Sequence, residues 1–140
     1  MRQNKSMPSC NIIPELGYPD VVAAIDWLSG AFGFDLRLQI ANHRAQLNVG
    51  NGAIVVRELP SANATLPSAP THSVMVRVDD LQHHYDRSSR YGAEILSAPV
   101  DYPFGERQYS CRDLGGHIWI FSQTTADVAP EEWGGISHRL

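Results

Sequence analysis

The chain has little of several things that would commit it to a specialised class. Its two cysteines, Cys10 and Cys111, lie far apart and show no CxxC spacing. That excludes a disulfide framework and a cysteine-built zinc site, and leaves two structural thiols in a reducing compartment. No apolar run approaches the ~20 residues of a membrane span, and the opening MRQNKSMPSC lacks the apolar stretch of a secretory signal. A cytoplasmic protein with no membrane partner is expected. Basic charge is also scarce: 11 Lys and Arg stand against 15 Asp and Glu, a net charge of −4 with the six His neutral, so nucleic acid is not an expected partner. What remains, 43% hydrophobic and 19% charged residues in a chain of 140, is the composition of an ordinary globular domain long enough to bury a core.

The chain reads as two passages of the same kind. IIPEL (12–16) is a short apolar strand. Asp20 is a good N-cap for a helix whose Val21, Ala24, Ile25, Leu28 and Phe32 keep to one stripe, and Gly33 stops it. FDLRLQI (34–40) and RAQLNVG (44–50) alternate, and AIVVREL (53–59) follows the turn pair Asn51-Gly52. HSVMVRV (72–78) then opens a second round. Asp80 caps a helix bearing Leu81, His84, Tyr85 and Ser88 on one stripe, Gly92 ends it, and AEILSAPV (93–100), ERQYSCRD (106–113) and HIWIFSQ (117–123) are strands. SANATLPSAPT (61–71) reads as a linker. In the tail, PEEW is a helical turn with Pro130 at its start, closed by Gly134-Gly135.

The landmarks recur. Asp20 and Asp80 are 60 residues apart, Gly33 and Gly92 59, Gly52 and Gly116 64. A repeat at one spacing marks an internally duplicated fold whose units cannot bury a sheet face alone. The expected fold class is α+β: two paired βαβββ modules, about 10–60 and 72–123, in one domain spanning 1–140 with a tail at 124–140. With a helix on one face of each sheet, the opposite faces are expected to curve together into a cleft, whether the modules pair within a chain or swap between chains.

DVVAAIDWLSGAFGF (20–34) is similar to the first helix, with its terminal glycine, of the vicinal oxygen chelate superfamily. That superfamily includes glyoxalase I, extradiol dioxygenases, fosfomycin resistance proteins and bleomycin resistance proteins. GERQYSCRDLGGHIWIFSQ (105–123) resembles its closing hairpin, in the glyoxalase-like and bleomycin-resistance-like branch. The resemblance covers about residues 10–123 and implies the glyoxalase/bleomycin resistance fold. It also implies where a metal would sit in the metal-dependent members, since the first and last strands of each module supply one ligand each. Carried over, those positions are Ile12, Val56, His72 and Ile120, of which only His72 can bind a metal. A slip of one residue, to Val55, Arg57, Trp119 or Phe121, does not restore the set. Catalytic divalent sites need three or four strong donors, so no metal and no cofactor is expected, and Glu106 and His117, near the strand ends of the last hairpin, do not replace the set.

The expected ligand site is therefore a grip, with apolar contacts from Ile12, Val56 and Ile120 and polar anchors at His72, Tyr109 and Glu106. His72 reads either as a pocket group titrating near neutrality or as a strand-start histidine satisfied by the backbone. Strand alternation puts Trp119 and Phe121 under the helix, in the core. Tyr109 and Phe104 could stack on a planar or cationic ligand, and Tyr102-Pro103-Phe104-Gly105 is a turn at the cleft mouth. Arg112-Asp113 reads as a hairpin clamp. His83 and His84, ~100° apart on a helix, cannot chelate one ion together. Trp133 needs a surface, with a dimer partner favoured. The expected function is metal-free binding of a small molecule, such as a toxic compound or antibiotic that is sequestered, in a homodimer. The alternative is a lyase, isomerase or dioxygenase of the same superfamily, with His72 a candidate base; no catalytic residue is assigned.

Overall fold

The structure is a computed structural model of the chain and describes residues 2–60 and 71–139, so the expected linker lies, except for Thr71, outside the described residues. The first module runs β1 (Glu15–Tyr18), α1 (Val21–Phe32), β2 (Asp35–Ile40), β3 (Arg44–Val49) and β4 (Gly52–Glu58). The second repeats the order with β5 (Val74–Arg77), α2 (Leu81–Arg90), β6 (Glu94–Tyr102), β7 (Glu106–Arg112) and β8 (Ile118–Thr124), and a 3₁₀ turn follows at Pro130–Trp133.

The two helices start for the same reason. The carboxylates of Asp20 and Asp80 accept from the backbone N–H of Ala23 and His83, each at 3.0 Å, satisfying one of the free donors of a first turn. Gly33 ends α1 in the left-handed region at φ +74°, where a side chain would be strained. α2 stops at Arg90, with Tyr91 as its cap and Gly92 one residue further on. β1 begins at Glu15 rather than at Ile12. Pro14 has no N–H to offer a ladder, although its carbonyl accepts from Val55 at 2.9 Å, and Ile12 is left 83% exposed.

Each module forms a four-stranded sheet, in the orders β1-β4-β3-β2 and β5-β8-β7-β6, with β1 parallel to β4 and β5 parallel to β8. A helix covers one face of each. The helix-bearing faces close on each other over a single core, in which Leu16, Tyr18, Phe32 and Val56 of the first module meet Leu81, Tyr109, Trp119 and Phe121 of the second. Phe32 carries the junction, its ring 4.8 Å from that of Phe121 and 5.4 Å from that of Trp119. Between the helices, Arg87 donates to the carbonyls of Gly30 (2.7 Å) and Ser29 (3.2 Å), and Gly30 leaves room for the Tyr91 ring where a β-carbon would collide.

The opposite faces of the two sheets consequently point outward. Among the described residues the two sheets do not curve together into one cleft, since helices fill most of the space between the modules; what the modules share is a cavity of ≈ 380 Å³ lined by Ile12, Pro14 and residues 49–54 of the first and residues 74–77 and Trp119 of the second.

Candidate binding surfaces

Alternation assigns the outer face of the first sheet. Leu16, Tyr18, Ala45, Leu47, Ile54 and Val56 belong to the core, so their neighbours Glu15, Arg44, Gln46, Val55 and Arg57 look the other way. Across a register shift in β2, Leu38 and Ile40 join them opposite Gln46 and Arg44. Over this face lies the N-terminal arm. Arg37 donates to the carbonyls of Lys5 (3.1 Å) and Met7 (3.0 Å), Gln46 donates to that of Ser6 (2.8 Å), and Arg37 also bonds the Gln46 amide oxygen. Pro8 is buried beneath. Arm and sheet enclose a cavity of ≈ 400 Å³ with Met7, Pro8, Ile13, Leu38, Ile40 and Val55 in its walls and the Glu15–Arg44 ion pair, 2.6 Å, at its side.

The outer face of the second sheet is aliphatic along β5 and β8, where Met75 lies opposite Ile120, and polar along β7. Glu106 accepts from Ser122 (2.5 Å) and Gln108 (3.1 Å), and Arg112 pairs with Glu94 at 3.3 Å. Met75 is 55% exposed and Ile120 half-buried.

Of the residues expected in the grip, Ile120 and Glu106 stand together on this second face. Val56 and Tyr109 do not belong to either outer face. Val56 is fully buried beneath α1, and Tyr109, 1% exposed, lies in the core with its hydroxyl on Ser88 (2.9 Å) and His84 (2.5 Å). Ile12 precedes its strand, largely exposed, at the rim of the cavity that also touches Met75 and Trp119 of the second module. His72 is exposed ahead of β5 and has no hydrogen-bond partner among the described residues. Phe104 stacks on Tyr102 (centroids 5.0 Å apart) and meets Trp133 at 5.3 Å, so the tail tryptophan has a surface within its own chain. Trp119 and Phe121 are core, and His84 turns inward while His83 is exposed.

The donor set does not fit a catalytic divalent ion. Where β1 meets β4 the outward residues are Glu15 beside Val55 and Gly17 beside Arg57. Where β5 meets β8 they are Met75 beside Ile120 and Arg77 beside Ser122. Glu15 is the only carboxylate in that set and is already paired with Arg44. Among the described residues no three His, Cys, Asp or Glu side chains gather anywhere.

Two buried polar clusters escape a reading of the sequence. Asp113 is not the partner of Arg112. Its carboxylate accepts from the Tyr18 hydroxyl (2.5 Å), the Trp119 indole (3.0 Å) and the backbone N–H of Gly115 (2.9 Å) and His117 (3.0 Å), while His117 bonds the Gly17 carbonyl at 2.8 Å. Burial first, and then the neighbouring Asp113 charge, push the Tyr18 hydroxyl well above its ordinary pKa, so it stays a donor. Burial, again with Asp113, pushes the Cys111 thiol up to about 12. In the second cluster, burial lowers His84 to about 4, Arg87 and His83 adding to the effect, and burial raises Tyr109. A neutral imidazole and a neutral phenol therefore share this hydrogen bond. The first cluster ties the two modules together, the second joins α2 to β7 within the second module, and neither opens to an outer face.

Residues 13–121 match the family model described as "Glyoxalase/Bleomycin resistance protein/Dioxygenase superfamily". Among solved structures, TioX from Micromonospora sp. ML1 superposes with a TM-score of 0.69 at 36% identity, over 83% of this chain and 99% of that one. A glyoxalase/bleomycin resistance protein/dioxygenase from Nocardioides gives 0.62 at 21% identity, over 94% and 91%. The genomically encoded fosfomycin resistance protein FosX of Listeria monocytogenes gives 0.68 at 15% identity, over 85% and 96%, a likeness of fold. No curated protein sequence matches the chain significantly.

Proposed function

The chain belongs to the Glyoxalase/Bleomycin resistance protein/Dioxygenase superfamily, and from that premise we propose that it is a metal-free binding protein for a small, largely apolar organic molecule, held in a cup that two copies complete. The observation that carries the reading is the chemistry of the outer faces. Val55 of β4 and Ile120 of β8 stand where a donor could have been offered, and the carboxylates nearby, Glu15 and Glu106, are already engaged. Such a surface can desolvate an apolar ligand and orient it through a few fixed polar groups, which is what affinity requires and catalysis does not. Val55, Leu38 and Ile40 supply the grip on the first sheet, and Ile120 and Met75 on the second, with Glu106 as a polar anchor. A second copy completes the cup by bringing the second sheet of one chain over the first sheet of the other, which also covers the free edges of β1 and β5. A resistance role, by sequestering a toxic compound in the cytoplasm, is the use to which this reading puts binding without turnover.

The test is a thermal-shift screen of antibiotics and other apolar ring compounds, with and without chelator, followed by recovery of each hit. Ligands are expected to raise the melting temperature by mass action, equally with chelator present, and to be recovered unchanged. A product in the recovered fraction, or about one Zn, Fe, Mn, Ni or Co per chain lost together with the stabilisation, would replace this reading with the enzymatic one.

A further inference from the structure

The two seams between the modules are not alike. At one, the β7–β8 turn reaches the edge of β1: the His117 imidazole bonds the Gly17 carbonyl (2.8 Å) and the Asp113 carboxylate takes the Tyr18 hydroxyl. The internal repeat locates its counterpart. Leu47 pairs with Ile54 as Cys111 pairs with Trp119, all four in the core. Toward the turn, Val49 pairs with Gly52 where the Asp113 N–H bonds the His117 carbonyl, so Val49 corresponds to Asp113 and Gly52 to His117. Counted back from the helix caps Asp20 and Asp80, Gly17 corresponds to Arg77 and Tyr18 to Val78. A phenol, a carboxylate and an imidazole at one seam are thus two valines and a glycine at the other, where a cavity of ≈ 380 Å³ lies between the β3–β4 turn and β5.

The strand edge beside this cavity is unpaired. The Val78 N–H donates to the Ser122 carbonyl at 2.9 Å, and the alternation of a parallel ladder then directs Val76 and Val78 to β8 and turns the N–H and C=O of Met75 and Arg77 the other way. None of those four groups has a partner among the described residues, whereas the Gly17 carbonyl at the corresponding place is taken by His117. Hydrocarbon from Ile12, Pro14, Ile54 and Val74 and the Trp119 ring supply the walls, and no acidic side chain lines them.

We propose that this cavity is a binding site for a planar aromatic heterocycle whose edge carries an N–H donor next to an acceptor, seated on the main chain of Met75 or Arg77. In an extended strand the N–H and C=O of one residue project to the same side, so an amidine-like or lactam-like edge satisfies both at once, and buried backbone groups require such partners. A flat ring suits apolar walls of this volume with few polar groups. Arg77, whose guanidinium bonds only Thr124 (3.1 Å) among the described residues, and the lack of an acidic wall residue select against a cation. The site goes beyond the binding reading above, since one chain builds it away from both outer sheet faces. A second copy that covers the edge of β5 seals this seat from outside and adds nothing to it.

The experiment titrates the full, nitrogen-15-labelled chain with 7-azaindole, which places an N–H beside a ring nitrogen, and with 1-methyl-7-azaindole, which has lost the donor. Saturable shifts of the Met75 and Arg77 amide signals are expected with 7-azaindole. Binding of the methylated compound is expected to be about tenfold weaker or worse, because a carbonyl is left unpaired. Gly52 has ordinary backbone angles and open contacts, the nearest being the Val49 carbonyl 3.5 Å from a built β-carbon, so it accepts a side chain. Gly52→His sets an imidazole against the Arg77 carbonyl, as His117 is set against Gly17, and should abolish 7-azaindole binding, while Gly52→Ala keeps it. The proposal is overturned if the two compounds bind alike, if Gly52→His binds as the unsubstituted chain does, or if the shifts fall on Gln46 and Val55 of the proposed cup instead. It is also overturned if 7-azaindole shifts nothing and Gly52→His halves the mass in light scattering, which would make a second copy the occupant. Shifts confined to Met75 and Arg77 in a chain that binds no compound of the thermal-shift screen would leave this site standing and the cup reading refuted.

Discussion

At Asp113 one carboxylate meets four donors drawn from two modules, and the most distant of them, Tyr18, is 95 residues away in the chain. Replacing it by Ala strands the Tyr18 hydroxyl and the Trp119 indole in the core. Each buried donor left unpaired costs about 1–3 kcal/mol, so a loss of roughly 3 kcal/mol or more in urea unfolding is expected; a loss below ~1 kcal/mol would show that the latch contributes little. No local signal announces this role. In the sequence Asp113 stands beside Arg112 before Gly-Gly and reads as a hairpin clamp, because an interaction that closes across the whole fold leaves no periodicity. His84 poses the opposite case, since its inward face follows from the helical stripe but its protonation does not. Its pKa falls from 6.5 unfolded to about 4 folded, so between those values the unfolded chain binds the extra proton and stability falls as pH falls. Allowing for partial exposure, the loss attributable to His84 is on the order of 2 kcal/mol. Measured as the difference between unsubstituted chain and His84→Gln, it should develop below about pH 6.5 and level off near pH 4; identical pH profiles for the two would remove His84 as the cause.

Element identity was legible where the determining forces are local. Asp20, Asp80 and Gly33 mark helix ends by hydrogen-bond and backbone chemistry that needs no tertiary context, and the hairpin around Gly115-Gly116 does the same. The facing of β4 was not legible, because Ala53, Ile54, Val55 and Val56 are all apolar and all buried: α1 covers one side, while the cavity wall and arm cover the other. A strand buried on both faces loses the alternation by which its register is read, so nothing in the strand itself corrects the position carried over from the resemblance: Val56 faces the core and Val55 the cavity. For β8 the core aromatics Trp119 and Phe121 restored the alternation, and Ile120 came out on the outer face. The tail gives an element-scale prediction. Gly105 sits at φ +82°, and a β-carbon there would collide with the Ala126 carbonyl, while its own carbonyl accepts from Thr125 at 2.8 Å. Gly105→Ala should therefore cost about 1–3 kcal/mol in left-handed strain and lift the tail from the β6–β7 turn. The check is Trp133 emission, expected to shift red in a Trp27→Phe, Trp119→Phe background as the indole leaves Phe104; an unshifted spectrum with unchanged stability would refute it.

The whole chain is arranged inside out relative to a self-contained cup: it spends its helix faces on joining its own modules and turns both outer sheet faces outward, the first of them partly covered by the N-terminal arm. The apolar residues left over on those faces, Ile40 on one and Met75 and Val100 on the other, are each about half exposed, and the edges of β1 and β5 carry unpaired backbone groups. A lone chain holds these in water, whereas a second copy turned by a two-fold axis covers the first sheet with the second and the second with the first, satisfying both at once. Stable pairs of this kind bury about 1,200–2,000 Å² in total. The expected solution mass at micromolar concentration is therefore twice the 15.5 kDa of the chain, with a melting temperature that rises with protein concentration. Ile40→Glu combined with Met75→Glu places like charges where the facing sheets meet, without touching the core, and should halve the mass while leaving the far-ultraviolet spectrum unchanged. It should also abolish any ligand-induced rise in melting temperature, because the cup is expected only between copies. A monomer in light scattering of the unsubstituted chain, or a doubly substituted chain that keeps both its mass and its ligand response, would show that a single copy suffices.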